Sequence, residues 1–354
     1  MIYIDKIMNV ALNYHQKILD IVDLDDDLLN NIYRARIEKI IKNQRMAFVN
    51  LGEEQGFLEL AKNSPLKEQD EVLLQVKKIK GDDKYVELSE EISLEGKAMI
   101  FFPERTFVKY SKKMTSEQKN RLWKLAREKN LRGVLFRSKA LEEDILGEYS
   151  SLKKLSQDIL SERGRRPTPK LLYKRDKLQS FLKAHESEKM ITNDEDVYRA
   201  YKGDFDIQWD KNFRIIYNPQ ILKDYKDLFS KKIPLEEGGN IVIEQTEALC
   251  SIDINSSGYR STLSNEEQIY HINKRAAEKI AEQVMLRNIS GIIIVDALNM
   301  KSEKNNVNLL EDYRRFFKGD RVFSKVHGYT SLGLIEISRE NRGYKLIDKL
   351  GEER

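Results

Sequence analysis

A mixed α/β chain of several subdomains is what this sequence predicts, on three observations. Residues 240 to 300 read as strand, strand, loop, helix, strand, and residues 31 to 94 hold five short β-rich runs punctuated by glycine and proline. Charged amphipathic helices occupy much of the remainder. With 354 residues the chain is long enough for two or three cores, and 40% apolar with 34% charged residues is an ordinary globular balance without a disorder signature. No run approaches the roughly 18 apolar residues of a membrane helix, and the N-terminus lacks the regions of a signal peptide. A cytoplasmic address and no membrane partner are therefore expected. The single cysteine, Cys250, excludes an internal disulfide and a cysteine-rich zinc site, and it is expected to face a core. A net charge of +4 says little about partners by itself.

Residues 1 to 28 begin with "MIYID" and continue through "NVALNYHQKILDIV", which is too little to fold alone. The runs "IYRARIEKI", "MAFVNLG", "QGFLEL", "EVLLQVKKI" and "KYVELSEEISL" predict a small barrel of the oligonucleotide-binding kind. Phe48 and Phe57 lie in strands that such barrels use to stack bases, with Arg34, Arg36 and Lys84 available for phosphates. The bland alternative for both phenylalanines is burial in the core.

Next come short strands in "GKAMIFFP" and "RTFVKY", a helix over 116–129, and a buried strand over Gly133–Phe136 with Arg137 and Ser138 at its exit. A guanidinium beside a hydroxyl suits a terminal phosphate, although Arg-Ser alone is equally a surface pair. A charged amphipathic helix follows over 141–163. The stretch "RGRRPTPKLLYKRDK" then packs seven basic residues and two prolines into a boundary, suited to nucleic acid or simply to solvent. Helices and strands mix from Leu178 to Leu235, and after Met300 come a helix in "NNVNLLEDYRRFFKG" and strands in "RVFSKVHGY" and "LGLIEISRE".

The densest chemistry lies between Asn240 and Met300. Within "ALCSIDIN" the two-residue period puts Leu249, Ser251, Asp253 and Asn255 on one face and Cys250, Ile252 and Ile254 on the other. A helix follows, with Ile269, Ile272, Ala276, Ile280 and Val284 at three- and four-residue steps. Ser264 and Glu267 give a capping-box start, and Asn288, Ser290 and Gly291 a stop. The run "IIIVD" predicts a strand buried on both faces and ending at Asp296. Strand, crossover helix and strand predict a parallel, adjacent pair whose carboxyl ends carry both aspartates, where a divalent metal can sit.

With these pieces in place the sequence resembles the RNase E/G family of endoribonucleases. "TEALCSIDINS", "GIIIVDALNM" and "HGYTSLGLIEISR" resemble its catalytic motifs, and "NIYRARIEKI" with "AFVNLGEEQGFLEL" resembles its S1-type domain. The resemblance runs in order over almost the whole chain. It implies an RNase H-like subdomain split between residues 1–28 and 166–235, with an S1-type OB barrel at 29–95 and a 5′-sensor at 96–165 inserted. A DNase I-like catalytic subdomain follows at 236–354.

It further implies that Asp253 and Asp296 bind a catalytic Mg2+, for which Mn2+ can substitute, with Asn255 assisting. Arg137, Ser138 and Ile100 would receive a 5′-monophosphate, and Phe48, Phe57 and Lys84 would line the RNA channel. In the loop "SSGYRSTLS", Arg260 is expected to close over the RNA backbone. Single-stranded RNA is the implied substrate, cut to leave a 3′-hydroxyl and a 5′-phosphate in RNA processing and decay.

Two departures from the family pattern matter. The paired cysteines that hold zinc between protomers in many members are absent, so no structural zinc is expected and any homodimer needs a metal-free interface. Asn299 stands where many members have a further acid. The rival reading is a noncatalytic S1-domain RNA-binding protein, against which the acidic motifs argue; a phosphatase or DNase on a similar sheet leaves the barrel unexplained.

Overall fold

The computed structural model describes all residues except 26–27, 80–84, 139, 237, 258–264, 342 and 351–354, and at 349 it describes the backbone alone. Lys84, Gly258, Arg260 and the expected helix cap Ser264 lie outside the described residues. The chain divides into two compact units. One joins residues 1–25 to 185–354, and the other holds residues 26–184.

Strands β1 (Ile2–Asp5), β2 (Val10–Tyr14) and β3 (Ile18–Asp23) open the first unit as an antiparallel meander. The chain then builds the whole second unit. Its barrel consists of β4 (Ile32–Ile41), β5 (Met46–Asn50), β6 (Gln55–Glu59), β7 (Glu71–Lys78) and β8 (Tyr85–Ser89). The order β4-β5-β6-β8-β7 closes because β4 also pairs with β7, which leaves the ring without a free edge. Alternation fills the lumen: Ala35, Ile37, Ala47, Val49, Leu58, Leu74, Val76, Val86 and Leu88 are buried. Gly56 is a packing requirement, since a Cβ there would lie 2.6 Å from Leu88 Cδ1 and 3.0 Å from the Val86 carbonyl oxygen.

A small sheet follows from β9 (Leu94–Glu95), β10 (Met99–Phe101), β11 (Val108–Tyr110) and β12 (Val134–Phe136), in the order β11-β12-β10-β9. Helices α1 (Ser116–Glu128) and α2 (Ile145–Ser161) accompany it. Thr115 and Gln118 form a capping box at the start of α1, and Asp144 caps α2. One face of the sheet, with Met99, Phe101, Val134 and Phe136, packs with Leu122, Ala126 and Ile145 into a core. Glu148 of α2 accepts the amides of Lys97, Ala98 and Met99 and so pins the β9–β10 turn.

Strand β13 (Lys170–Tyr173) then pairs antiparallel with β4, and α3 (Lys177–Ala184) ends the unit. Leu94 and Glu95 pair with β10, and residues 166–184 lie in the same compact unit as the barrel, where β13 extends β4.

Back in the first unit, β14 (Met190–Thr192) runs parallel to β1, and β15 (Ile207–Trp209) parallel to β14. The sheet β15-β14-β1-β2-β3 thus completes the meander with strands from beyond the whole inserted second unit. Helix α4 (Glu195–Tyr201) lies between β14 and β15 and α5 (Pro219–Asp227) follows β15, each with an Asp or Asn side-chain cap.

The last sheet joins β16 (Lys232–Pro234), β17 (Asn240–Gln245), β18 (Leu249–Asn255), β19 (Gly291–Asp296), β20 (Ser324–Tyr329) and β21 (Ile335–Arg339) in the order β16-β17-β18-β19-β21-β20. Helix α6 (Asn265–Leu286) joins β18 to β19, α7 (Glu303–Phe316) leads toward β20, and α8 (Leu346–Leu350) comes last. Ile272, Ala276, Ile280 and Val284 of α6 pack with Leu309 and Tyr313 of α7 onto Ile241, Ile252, Ile254, Ile293, Val295 and Ile337.

Strand β19 corrects an expectation. Its apolar run predicts burial on both faces, yet Ile292 is 48% exposed while Ile293 is fully buried. Within this unit α6 and α7 pack on one face only, so the residues alternating with the core stay accessible. No helix among the described residues is long and apolar enough to cross a membrane.

Candidate active site

Burial of Cys250, Ile252 and Ile254 decides where the acidic motif points. These three face the helices, so Ser251 and Asp253 turn to the open face, with Asn255 in the same alternation. Cys250 faces the core as expected, and burial pushes its thiol up to about 11, leaving it a packing group and no nucleophile.

Strands β18 and β19 are adjacent and parallel, and their register sets Asp253 directly beside Asp296. Neighbouring strands lie about 4.8 Å apart, so the two carboxylates leave the same face side by side. Asn255 Nδ2 donates to Asp253 Oδ2 at 2.7 Å, and Asn255 pairs in register with Asn240. The structure therefore brings together the three residues singled out from the sequence. Their oxygen donors suit a hard cation that needs one or two protein carboxylates and keeps several waters. Among the described residues no group of three or more His, Cys, Asp or Glu converges on one point.

Sequence reasoning overlooked two residues that support the site. Asn273, fully buried on α6, donates from Nδ2 to the Leu298 carbonyl at 2.8 Å and accepts the Leu298 amide at 3.0 Å. Glu266 accepts the amides of Ser302 at 2.8 Å and Lys301 at 3.2 Å, and these backbone bonds hold its carboxyl below the usual range. Together they fasten the segment that follows Asp296 to the crossover helix. A buried asparagine within an apolar helical stripe was the available signal. Asn299 lies exposed in this segment. His327 is bonded through Nε2 to Ser338 Oγ at 2.8 Å, on the neighbouring strand pair.

In the other unit, Phe48 and Phe57 are cross-strand partners on the outside of the barrel, because Ala47, Val49 and Leu58 occupy the inside. Core burial of these phenylalanines is therefore ruled out. Tyr85, not singled out from the sequence, joins them: its ring centroid lies 5.4 Å from that of Phe48 at 61°.

Arg34 corrects another expectation. It is 1% exposed, and its guanidinium donates to the carbonyls of Glu162 and Pro167, both at 2.6 Å, and to Thr168 Oγ1 at 3.1 Å. It straps residues 162–168 to the barrel wall and is not available to a phosphate. Arg36 lies 3.3 Å from Glu71. On the small sheet, Ile100 is half-buried opposite Glu95, Arg137 follows the end of β12, and Ser138 is exposed.

Fold and site together define a multi-sheet α/β protein that pairs a closed five-stranded barrel with a two-carboxylate site on an open sheet face. A profile of the ribonuclease E/G family matches residues 93–342, and the chain belongs to that family. It is 26% identical to ribonuclease E of Synechocystis sp. over 94% of this chain and 55% of the relative. It is 26% identical to ribonuclease G of Haemophilus influenzae over 92% of this chain and 75% of the relative, and 27% identical to ribonuclease E of Nostoc sp. over 92% and 53%. The chain thus spans about half the length of these ribonuclease E relatives and three quarters of the ribonuclease G relative.

Proposed function

We propose that this chain is an endoribonuclease that hydrolyses single-stranded RNA with Mg2+, or Mn2+ in its place, and acts in RNA processing and decay. The observation that carries the reading is the register pairing of Asp253 with Asp296 on an open sheet face, in a chain of the ribonuclease E/G family. Bound there, the cation would supply electrophilic stabilisation of a phosphodiester and a more acidic water. Asp253 and Asp296 hold it. Asn255 fixes the rotamer of Asp253 through the 2.7 Å bond, and Asn273 and Glu266 keep the segment after Asp296 in place. Attack by water leaves a 3′-hydroxyl and a 5′-phosphate.

The outward aromatics Phe48, Phe57 and Tyr85 favour unstacked bases, which is why single strands are the substrate class. Arg137, Ser138 and Ile100 serve a 5′-monophosphate, so that fragments from one cut become preferred substrates of the next. In subdomain terms, the β15-β14-β1-β2-β3 sheet is the RNase H-like part, the barrel is of S1 type, the small sheet is the 5′-sensor, and the β16–β21 sheet is the DNase I-like catalytic part. The address is cytoplasmic, and a homodimer would form through a metal-free interface.

The test is Mg2+-dependent cleavage of a short labelled single-stranded RNA by the unmutated chain, by Asp253→Asn and by Asp296→Asn. Cleavage at the full rate is expected only from the first. Activity surviving both substitutions overturns the metal site, whereas tight binding without cleavage by the unmutated chain favours a noncatalytic RNA-binding protein. Equal rates on 5′-phosphorylated and 5′-hydroxyl versions of one oligonucleotide overturn the sensor.

A further inference from the structure

The open face of the small sheet carries a charge arrangement that the 5′-phosphate reading does not use. Arg137 Nη2 and Arg175 Nη2 each lie 3.8 Å from the same atom, Oε2 of Glu95. The three side chains arrive from separate places in the chain. Glu95 sits on β9 directly opposite Ile100 of β10, and Arg137 follows β12, its amide bonded to the Ala98 carbonyl at 2.8 Å. Arg175 follows β13, its amide bonded to Asn31 Oδ1 at 2.9 Å. Asn30 Nδ2 donates to the other oxygen, Oε1 of Glu95, at 3.4 Å.

Two guanidinium groups converging on one oxygen is the geometry of an anion site, and the chain's own carboxylate stands in it. At 3.8 Å the contacts are charge pairs beyond hydrogen-bond reach, and all three side chains are partly solvated, so water and a stronger anion can compete for the arginines. A terminal phosphate carries about −1.5 to −2 charges and three acceptor oxygens, against one charge for a carboxylate, so it can draw both guanidinium groups away from Glu95. A 5′-hydroxyl cannot.

We propose that Arg175 is the second arginine of the 5′-phosphate site and that Glu95 is the internal counter-ion that a terminal phosphate must displace. Glu95 then tempers the affinity of the two arginines for a terminal phosphate. Ends without a phosphate meet arginines already engaged, and a phosphorylated end trades that weak pairing for two charge-assisted contacts. The inference rests on the proposed sensor reading and adds a specificity-determining pair to it.

Binding of 3′-fluorescein oligonucleotides bearing a 5′-monophosphate or a 5′-hydroxyl, followed by anisotropy without divalent ions so that no cleavage intervenes, tests it. Arg175→Gln is expected to weaken binding of the phosphorylated strand about tenfold, the scale of one charged hydrogen bond. Binding of the hydroxyl strand should stay unchanged, and Arg175→Lys should recover part of the loss. Glu95→Gln is expected to tighten the phosphorylated strand about two- to fivefold, the scale of one exposed ion pair.

If Arg137→Gln removes the preference for phosphorylated ends while Arg175→Gln and Glu95→Gln leave it intact, the pair is structural and this inference falls, with the sensor reading standing. If the unmutated chain binds both strands equally, the sensor reading falls and this inference with it.

Discussion

The barrel and the six-stranded sheet both follow the two-residue alternation of β-strands, yet they present opposite chemistry on the faces they leave open. In the barrel the inside takes Ala47, Val49 and Leu58, and the outside keeps Phe48, Phe57 and Tyr85. In the sheet the helices cover Ile252, Ile254, Ile293 and Val295, and the open side keeps Asp253, Asn255 and Asp296. Closure accounts for much of the contrast. A closed ring satisfies its own backbone and buries one face completely, so its outer wall is free to carry rings that stack. The sheet has one face covered by its helices, and on the other two adjacent parallel strands set two carboxylates side by side.

The sharpest way to break this contrast is to remove one charge from the sheet. Asp253→Asn or Asp296→Asn is expected to reduce RNA cleavage by roughly 10²–10³-fold, the scale of losing one electrostatic stabiliser, with the thermal midpoint unchanged or raised. Steady-state cleavage and a melting curve on the same sample check both halves.

In stability, the largest effect is expected at the buried pair that anchors β21. Arg339 Nε lies 2.8 Å from Asp320 Oδ2, with both side chains nearly inaccessible, and Arg339 Nη1 also donates to Asn288 Oδ1 at 2.8 Å. Burial alone would raise the Asp320 carboxyl, but the Arg339 guanidinium, the Ser324 hydroxyl and the Val322 amide outweigh it and hold the group below its ordinary value. Asp320→Asn leaves Arg339 buried without its counter-charge and is expected to cost about 3–5 kcal/mol. Because the folded value is the lower one, the stabilisation is fully present above the ordinary carboxylate value near pH 4. It is lost as pH falls through the folded value. Thermal unfolding between pH 5 and pH 2 is expected to show a steeper acid loss in the unmutated chain than in Asp320→Asn.

Strand β19 allows the two faces to be compared within one element. Ile293→Ala, on the covered face, is expected to cost about 3 kcal/mol, whereas Ile292→Ala next to it should cost less than about 1 kcal/mol, read by urea unfolding. Equal losses would mean that the open face is covered after all. On the barrel, Phe48→Ala is expected to weaken single-stranded RNA binding by about 1–3 kcal/mol for the base it stacks while leaving the cleavage rate at saturating RNA near its original value. A change in that rate without a change in affinity would remove the stacking role.

Much of the fold was legible because it is local. The alternation in "CSIDIN" assigns faces by geometry alone, and the helical period of Ile272, Ala276, Ile280 and Val284 meets the core it implies. The five runs before Leu94 became the barrel strands, since turn residues separate them at short range. Misreadings came where the partner is distant in sequence. Arg34 reads as a surface cation until residues 162–168 fold over it, and "IIIVD" reads as two-sided burial because an apolar run does not reveal how many layers will cover it.

By itself, the sequence determined the carboxylates, their strands and the side of each strand they occupy, because period and turn chemistry act within a few residues. The sequence also predicted the adjacent parallel pair that carries Asp253 and Asp296, but only the tertiary structure decided the register that sets them side by side, that β1 would be completed by β14, and that Glu95 would lie between Arg137 and Arg175. Those outcomes depend on strand order and register, which are set by cores assembled from segments tens to hundreds of residues apart.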